Sequence, residues 1–336
     1  MSVTRHQFVG GSLAAFASIA IVVPARAAQS FAWKYANDLP ADHPTNLRSK
    51  EAFDRIAKRT KGQVQITDFP VSVLGSDPSM LAQMRTGAIE MLALPGAFLN
   101  AVVPLASIEN LAYAFPNRET VFRAMDGDLG EVIRDAIRAA NIVVFDKIWE
   151  NGFRDITTST KPIRTVADLA GLKIRVSPGK IRVDTFESLG ASPTPISLSE
   201  LYTSLQTHVV DAQENPLVLI EQQKFYEVQK YVALSEHIWS GYWTLVNQDK
   251  WNGMPKDLQA VVTSEIAAST IQARDDTQKL NDTAAANLKA KGMLFNAVDK
   301  PSFKAKLSTS GYYKRWKAEF GERAWAALEK YANKLA

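Results

Sequence analysis

The strongest constraint on the fold is the alternation of two periodicities over about the first 100 residues. "FAWKYAND" (31–38) reads as a buried strand that ends in the polar loop Asn37-Asp38-Leu39-Pro40. In "NLRSKEAFDRIAKRTKG" (46–62) the period becomes helical. Leu47, Phe53, Ile56 and Ala57 share one face, and Gly62 stands where a C-terminal cap belongs. "QVQITDF" (63–69) alternates like a strand, and "SDPSMLAQMRTGA" (76–88) opens as a helix, with Ser76 or Asp77 before Pro78. "IEMLALPG" closes the series as a short apolar strand. The order β-α-β-α-β calls for an α/β layer with parallel strands.

Further along, "NIVVFDKIWENGFRDITT" (141–158) reads as two strand segments flanking Glu150–Gly152, a place for the chain to cross between lobes. "TVADLAG" (165–171) reads as a helical turn, "KIRV" as a strand, and "KIRVDTFESLG" (180–190) as a helix ended by Gly190. "SLSELYTSLQ" (197–206) carries a capping box, Ser197-x-x-Glu200. "VVDAQENP" (209–216) and "IWSGYWTLVN" (238–247) are strand-like. From Pro255 to Lys291 a helical pattern runs almost unbroken, with Asp257 near its start, Lys289 and Lys291 near its end and Gly292 after it.

The N-terminus obeys a different rule. Arg5 precedes an apolar run from Phe8 to Val23, followed by the small-x-small site Ala25-Arg26-Ala27. This is a secretory signal peptide over residues 1–27, too short in its apolar run to span a bilayer. Removing Arg5 and Arg26 takes the formal charge from +4 to +2. A near-neutral chain is not built for nucleic acid. The sequence has no cysteine, so stability in an oxidising compartment rests on core burial, and a lipid anchor on an N-terminal cysteine is excluded. The expected location is the periplasm.

Catalytic signatures are missing. Three histidines follow the signal, His43, His208 and His237, far apart, and no HExxH or thiol ligand set accompanies them. There is no GxxxxGK[ST] loop, no GxGxxG after a strand and no GxSxG elbow beyond the signal. No metal, cofactor or catalytic residue is expected, and binding is the better reading than catalysis.

Two neighbouring strand-like runs, Phe153–Thr158 and Leu172–Val176, each carry an arginine, Arg154 and Arg175. In the second, Leu172, Ile174 and Val176 share one face and Lys173 and Arg175 the other. On pattern alone that is a half-buried strand with its cations in water.

The combination of "NGFRDITT", "GLKIRV", "ELYTSLQ" and "QENP" in this order, with "VLGSDPSMLAQMRTGAIEM" upstream, resembles the DctP family, the solute-binding proteins of tripartite ATP-independent periplasmic (TRAP) transporters. The resemblance spans essentially the whole chain after the signal. It implies an α/β two-lobed, periplasmic-binding-protein-like clamp with discontinuous lobes and a long bracing helix. Residues 28–151 with about 240–280 would form one lobe, and residues 152–239 with about 281–336 the other, with C-terminal helices. The resemblance makes Arg175 the bidentate partner of a ligand carboxylate, with Arg154 and Asn215 assisting. An arginine fork matches a planar carboxylate as a lysine cannot. Asn37 and Asp77 would face the cleft from first-lobe loops; Phe153, Trp239 and His237 are further ligand-binding candidates, and Trp149 and Tyr242 lie close by. The sequence departs from the family's usual glycines at His208 and Ala212, and it has the uncharged Pro95-Gly96 where some sugar-acid binders place a charge. Leu198 stands where many relatives have a phenylalanine.

The implied protein is a monomeric periplasmic receptor that captures a small monocarboxylate and delivers it to a permease of a small and a large membrane subunit. An aromatic, 2-hydroxy or 2-oxo acid leads, with a uronate as the alternative ligand. A ligand-sensing subunit or an enzyme acting on a carboxylic acid is the rival reading.

Overall fold

The structure, a computed structural model, describes residues 1–2, 30–332 and 335. The expected secretion signal lies, from residue 3 onward, outside the described residues.

The first part of the chain forms β1 (Phe31–Ala36), α1 (Pro44–Arg59), β2 (Val64–Phe69), α2 (Asp77–Thr86), β3 (Met91–Leu94), α3 (Gly96–Leu99), α4 (Arg118–Met125), α5 (Asp128–Ala139) and β4 (Ile142–Val144). β1 pairs in parallel with β2 and with β3, as the alternating pattern requires. Helix α1 starts two residues earlier than expected. Pro44 supplies a helical φ where no N–H is needed, and His43 Nδ1 accepts from the Thr45 amide.

The second part forms β5 (Trp149–Thr158), β6 (Lys173–Val176), α6 (Lys180–Leu189), β7 (Ser192–Pro195), α7 (Leu198–Gln206), β8 (Ala212–Asn215) and α8 (Leu217–Gln222). β6 is parallel to β7 and β8, and β5 is antiparallel to β8. Ser197 sits at the N-cap of α7, but its hydroxyl makes no cap bond. The reciprocal arrangement occurs instead at the short 3₁₀ turn Val166–Leu169, where the Thr165 amide donates to Asp168 Oδ2.

The seventeen-residue β9 (Tyr231–Asn247) joins the two sets. Tyr231–Tyr242 runs against β5, and Trp243–Asn247 runs against β3 and β4. The strand order is β2-β1-β3-β9-β5-β8-β6-β7, with β4 and the later β10 (Leu294–Ala297) also on β9. Between them lie α9 (Gln248–Asn252) and α10 (Lys256–Ala290); α11 (Lys300–Thr309), α12 (Tyr312–Phe320) and α13 (Glu322–Glu329) end the fold.

Helix α10 braces the molecule. Its first half buries Leu258, Val262, Ile266 and Ala273 with Phe31, Trp33 and Phe53 of the first lobe. Its far end buries Leu288 with Leu201, Phe225 and Val232 of the second. Arg55 to Glu265 (2.6 Å) and Arg48 to Asp276 (2.7 Å) tie it to α1, and Asn287 to Glu221 (3.3 Å) ties it to α8.

Candidate functional site

Strand β5 is bulged, which changes which of its residues share a side. Its register against β9 shifts between Glu150 and Gly152, where Gly152 adopts φ +118°. Asn151 and Arg154 then share one side, both reaching Ser240 Oγ, while Phe153 and Asp155 point to the other. Arg154 is buried and its fork is filled. Nε and Nη2 both donate to the Glu214 carboxylate, and Nη2 also donates to the Glu214 carbonyl (2.6 Å) and to Asn215 Oδ1 (2.9 Å). Burial alone would raise the Glu214 pKa, but the Arg154 charge, the His237 ring beside it and the hydrogen bonds from Arg154 hold it well below the usual carboxylate range. His237 Nε2 lies 3.4 Å from Glu214, Nδ1 meets Ser235 Oγ (2.8 Å), and burial keeps the ring neutral by lowering its pKa. Asn215 Nδ2 donates to Gln213 Oε1 (2.6 Å).

Arg175, on β6, differs. It is 1% exposed and donates from Nε to the Ile196 carbonyl (2.7 Å), yet its Nη1 is buried without a hydrogen-bond partner among the described residues. Burial pushes its pKa down to about 10, against the attraction of Glu214, Asp38 and Asp77. A third guanidinium, Arg182 in the first turn of α6, is 1% exposed, holds Asn110 Oδ1 through Nε and Nη2 (3.1 and 2.7 Å), and is pushed down to about 9 by burial and then by the Arg154 charge. None of the sequence motifs singled it out.

Opposite these cations the first lobe supplies acids. Asp38, just after β1, accepts from Tyr242 Oη (2.8 Å). Asp77, at the first position of α2, is 1% exposed with Oδ1 unpartnered among the described residues. Burial raises the pKa of both, and for Asp77 the neighbouring Asp38 charge raises it further, while Arg175 and Arg182 pull both down. One side of the cluster therefore carries unused donor capacity and the other unused acceptor capacity. That pair of ends suits a small molecule with a carboxylate and hydroxyls.

The remaining candidates are elsewhere. Asn37 spends its side chain inside the first lobe: Oδ1 accepts from the Leu39 amide and from Asn46, and Nδ2 donates to Asn46 Oδ1 (2.8 Å). The Asx-type loop closure leaves Asp38, one residue on, to join the cluster. Phe153 and its strand partner Trp239 lie on the side of β5 away from Arg154. Trp239 packs edge-on against Phe122 (5.8 Å), and Phe153 lines a cavity of about 380 Å³ with Tyr113, Phe115 and Asp155. Trp149 donates to Thr244 Oγ1 in the first-lobe core. His208 adopts φ +57°, the left-handed conformation that explains glycine's usual presence there, and remains exposed with Asp211 3.6 Å away.

Comparison with known proteins bears on the family and the fold. Residues 35–317 match the family model DctP, bacterial extracellular solute-binding protein family 7. The chain is 32% identical over 285 residues to the 2,3-diketo-L-gulonate-binding periplasmic protein of Escherichia coli, covering 84% of each chain. Its fold is similar to a TRAP periplasmic solute-binding protein from Polaromonas bound to D-erythronate, with TM-score 0.84, 28% identity, and coverage of 89% of this chain and 98% of that one. It is likewise similar to one from Roseobacter denitrificans bound to L-galactonate, with TM-score 0.83, 29% identity, and coverage of 90% and 99%. The α/β fold and these relationships lead to one conclusion: the chain belongs to the DctP family and is a solute-binding protein of the TRAP transporter type.

Proposed function

We propose that this protein captures a small hydroxylated monocarboxylate in the periplasm and delivers it, unchanged, to a permease of a small and a large membrane subunit. The observation that carries this reading is the Nη1 of Arg175, buried and without a partner among the described residues, in a cluster where the charges of Glu214, Asp38 and Asp77 act on it. In it, Arg175 takes the ligand carboxylate. Arg154 and Asn215, whose groups are engaged with Glu214 and Gln213, stiffen the floor beneath it. Asp77, Asp38 and Tyr242 receive the hydroxylated end.

The preference for hydroxyls over an aromatic ring rests on position. Phe153 and Trp239 are on the far side of β5, and the groups that meet the arginines are polar. The bound erythronate and galactonate of the similar structures are of this class. The lobes divide as residues 28–151 with about 240–280 and residues 152–239 with about 281–336, a reading supported by the change of pairing partners along β9.

The test is calorimetry with D-erythronate, galactonate, galacturonate and benzoate on the wild type and on Arg175→Ala. The wild type should bind at least one of the sugar acids and not benzoate. The variant should lose about 3–5 kcal/mol, enough to abolish detectable binding. Arg175→Lys should also bind poorly, since an ammonium makes no two-pronged contact. Near-wild-type affinity in a folded Arg175→Ala protein rejects the site. Mass spectrometry showing conversion of the acid rejects the binding-only role.

A further inference from the structure

The groups that meet in the closed cleft can be counted. The second lobe brings Arg154 (β5), Arg175 (β6) and Arg182 (α6), with Glu214 (β8) against Arg154 and the neutral His237 (β9) beside it. The first lobe brings Asp38 after β1 and Asp77 on α2, and Tyr242 of β9 donates to Asp38. Behind Asn110 stands Glu109, a buried acid pushed up to about 7 by burial, with the Trp243 indole and the Gly96 amide as its donors. Three guanidiniums thus face three carboxyls directly, with Glu109 a fourth acid nearby. With all three carboxyls ionised, as when the cleft is open to water, the set is balanced; closure then leaves Asp38, Asp77, Arg175 and Arg182 almost wholly buried.

A ligand carboxylate adds one more negative charge to this enclosed set. An uncompensated charge in such a place is costly. The guanidiniums stay charged, so the adjustment falls on an acid. Asp77 is the group placed to make it. It lacks a donor at Oδ1 among the described residues, it is flanked by Asp38, and two adjacent buried carboxyls do not both ionise readily.

We propose that the closed cleft binds a proton together with the acid, the ligand carboxylate resting ionised on Arg175 and the proton resting on Asp77 of the Asp38–Asp77 pair. This rests on the functional reading above. The balance is simple: a solvent or buffer acid gives up one proton, and the Asp77 carboxylate becomes a carboxylic acid. Asp77 then has an O–H to donate to a ligand hydroxyl oxygen, while its other oxygen and Asp38 accept from ligand hydroxyls. The same count explains selectivity. A dicarboxylate would require a second proton, so the site favours monoanions.

Calorimetry of the wild type with D-erythronate and with L-galactonate at about pH 7, in phosphate and in Tris, tests the idea. The two buffers release very different heats on deprotonation. The apparent enthalpies should differ by an amount corresponding to about one proton taken up per acid, and Kd should rise up to about tenfold per pH unit on the alkaline side. Asp77→Asn, which carries a neutral side chain already, should bind with an enthalpy independent of buffer. Binding by the wild type with no buffer dependence overturns the proton while leaving the functional reading intact. An Asp77→Asn protein that still takes up a proton overturns its placement. Failure of both acids to bind overturns the ligand class and this inference with it. Because the wild-type measurement decides the main point, a variant that failed to fold would not blunt the test.

Discussion

Arg154, Arg175 and Arg182 are equally buried, and what separates them is what fills the fork: a carboxylate, a single carbonyl, and a neutral amide. A charge already paired with Glu214 has little left for a ligand, so Arg154→Ala should first destabilise the protein by leaving Glu214 buried and unpaired, a loss of about 3–5 kcal/mol. Arg175→Ala should instead leave stability close to wild type and remove binding. Chemical denaturation beside calorimetry separates the two. Asp155 gives a second test at this scale. Burial raises its pKa to about 7, against a hydrogen bond from the Glu236 amide. The folded state therefore keeps a proton that the unfolded chain has released, and the stability linked to this group is lost as pH rises from its unfolded value toward 7. Melting temperatures from pH 4 to 8 should show that decline, and Asp155→Asn should flatten it. The family resemblance pointed to Arg175, Arg154, Asn215 and Asp77, whereas strand alternation alone put Arg175 in water, where the structure buries it. Arg182 escaped because Asp184 and Glu187 surround it in a helix that reads as solvated, although Arg182, Thr185, Phe186 and Leu189 form its buried stripe. Asp38 escaped because nothing in a sequence says which of two adjacent polar residues will be used to close the loop.

Among the elements, β5 places a sharp demand on one residue. The bulge that puts Arg154 on the cleft side needs Gly152 at φ +118°, and a Cβ there would stand 3.3 Å from Asn281 Nδ2 of α10. Gly152→Ala should cost about 1–2 kcal/mol through backbone strain, lowering the urea midpoint with an unchanged m-value. Periodicity made most elements legible: β1, α1, β2, α2 and β3 arrive in the expected order, and α10 occupies nearly the expected run. The pattern failed where a local rule has a positional exception. β7 is "SPTP", two prolines that a central strand would not tolerate, and it survives because it is the edge strand beyond β6. The early half of β9 was missed because Glu236, at φ +42°, interrupts the alternation between Tyr231 and Ile238.

Across the whole molecule, the cleft side is where the lobes meet, and one contact there is unusually close. Gly179, just before α6 in the second lobe, faces Ala97 of α3 in the first; a Cβ on Gly179 would lie 2.9 Å from the Ala97 carbonyl oxygen and 3.2 Å from its Cβ. The glycine is not there for its backbone, since φ is 165°, an extended value open to any residue. What restricts it is the room left by Ala97. A side chain at this position should therefore leave each lobe undisturbed and wedge the pair apart. Gly179→Leu should retain wild-type stability within about 0.5 kcal/mol, as a substitution that meets its obstacle only on closure. It should also weaken binding of the preferred acid at least tenfold, because the ligand's free energy must now work against a clash to shift the open–closed equilibrium. Small-angle scattering supplies the structural half of the test. Saturating ligand should make the wild type more compact and leave the radius of Gly179→Leu nearer its unliganded value. A variant that binds and compacts like the wild type would mean that the Ala97–Gly179 contact is no part of closure. One that melts far below the wild type would mean that the glycine serves the second lobe's own core.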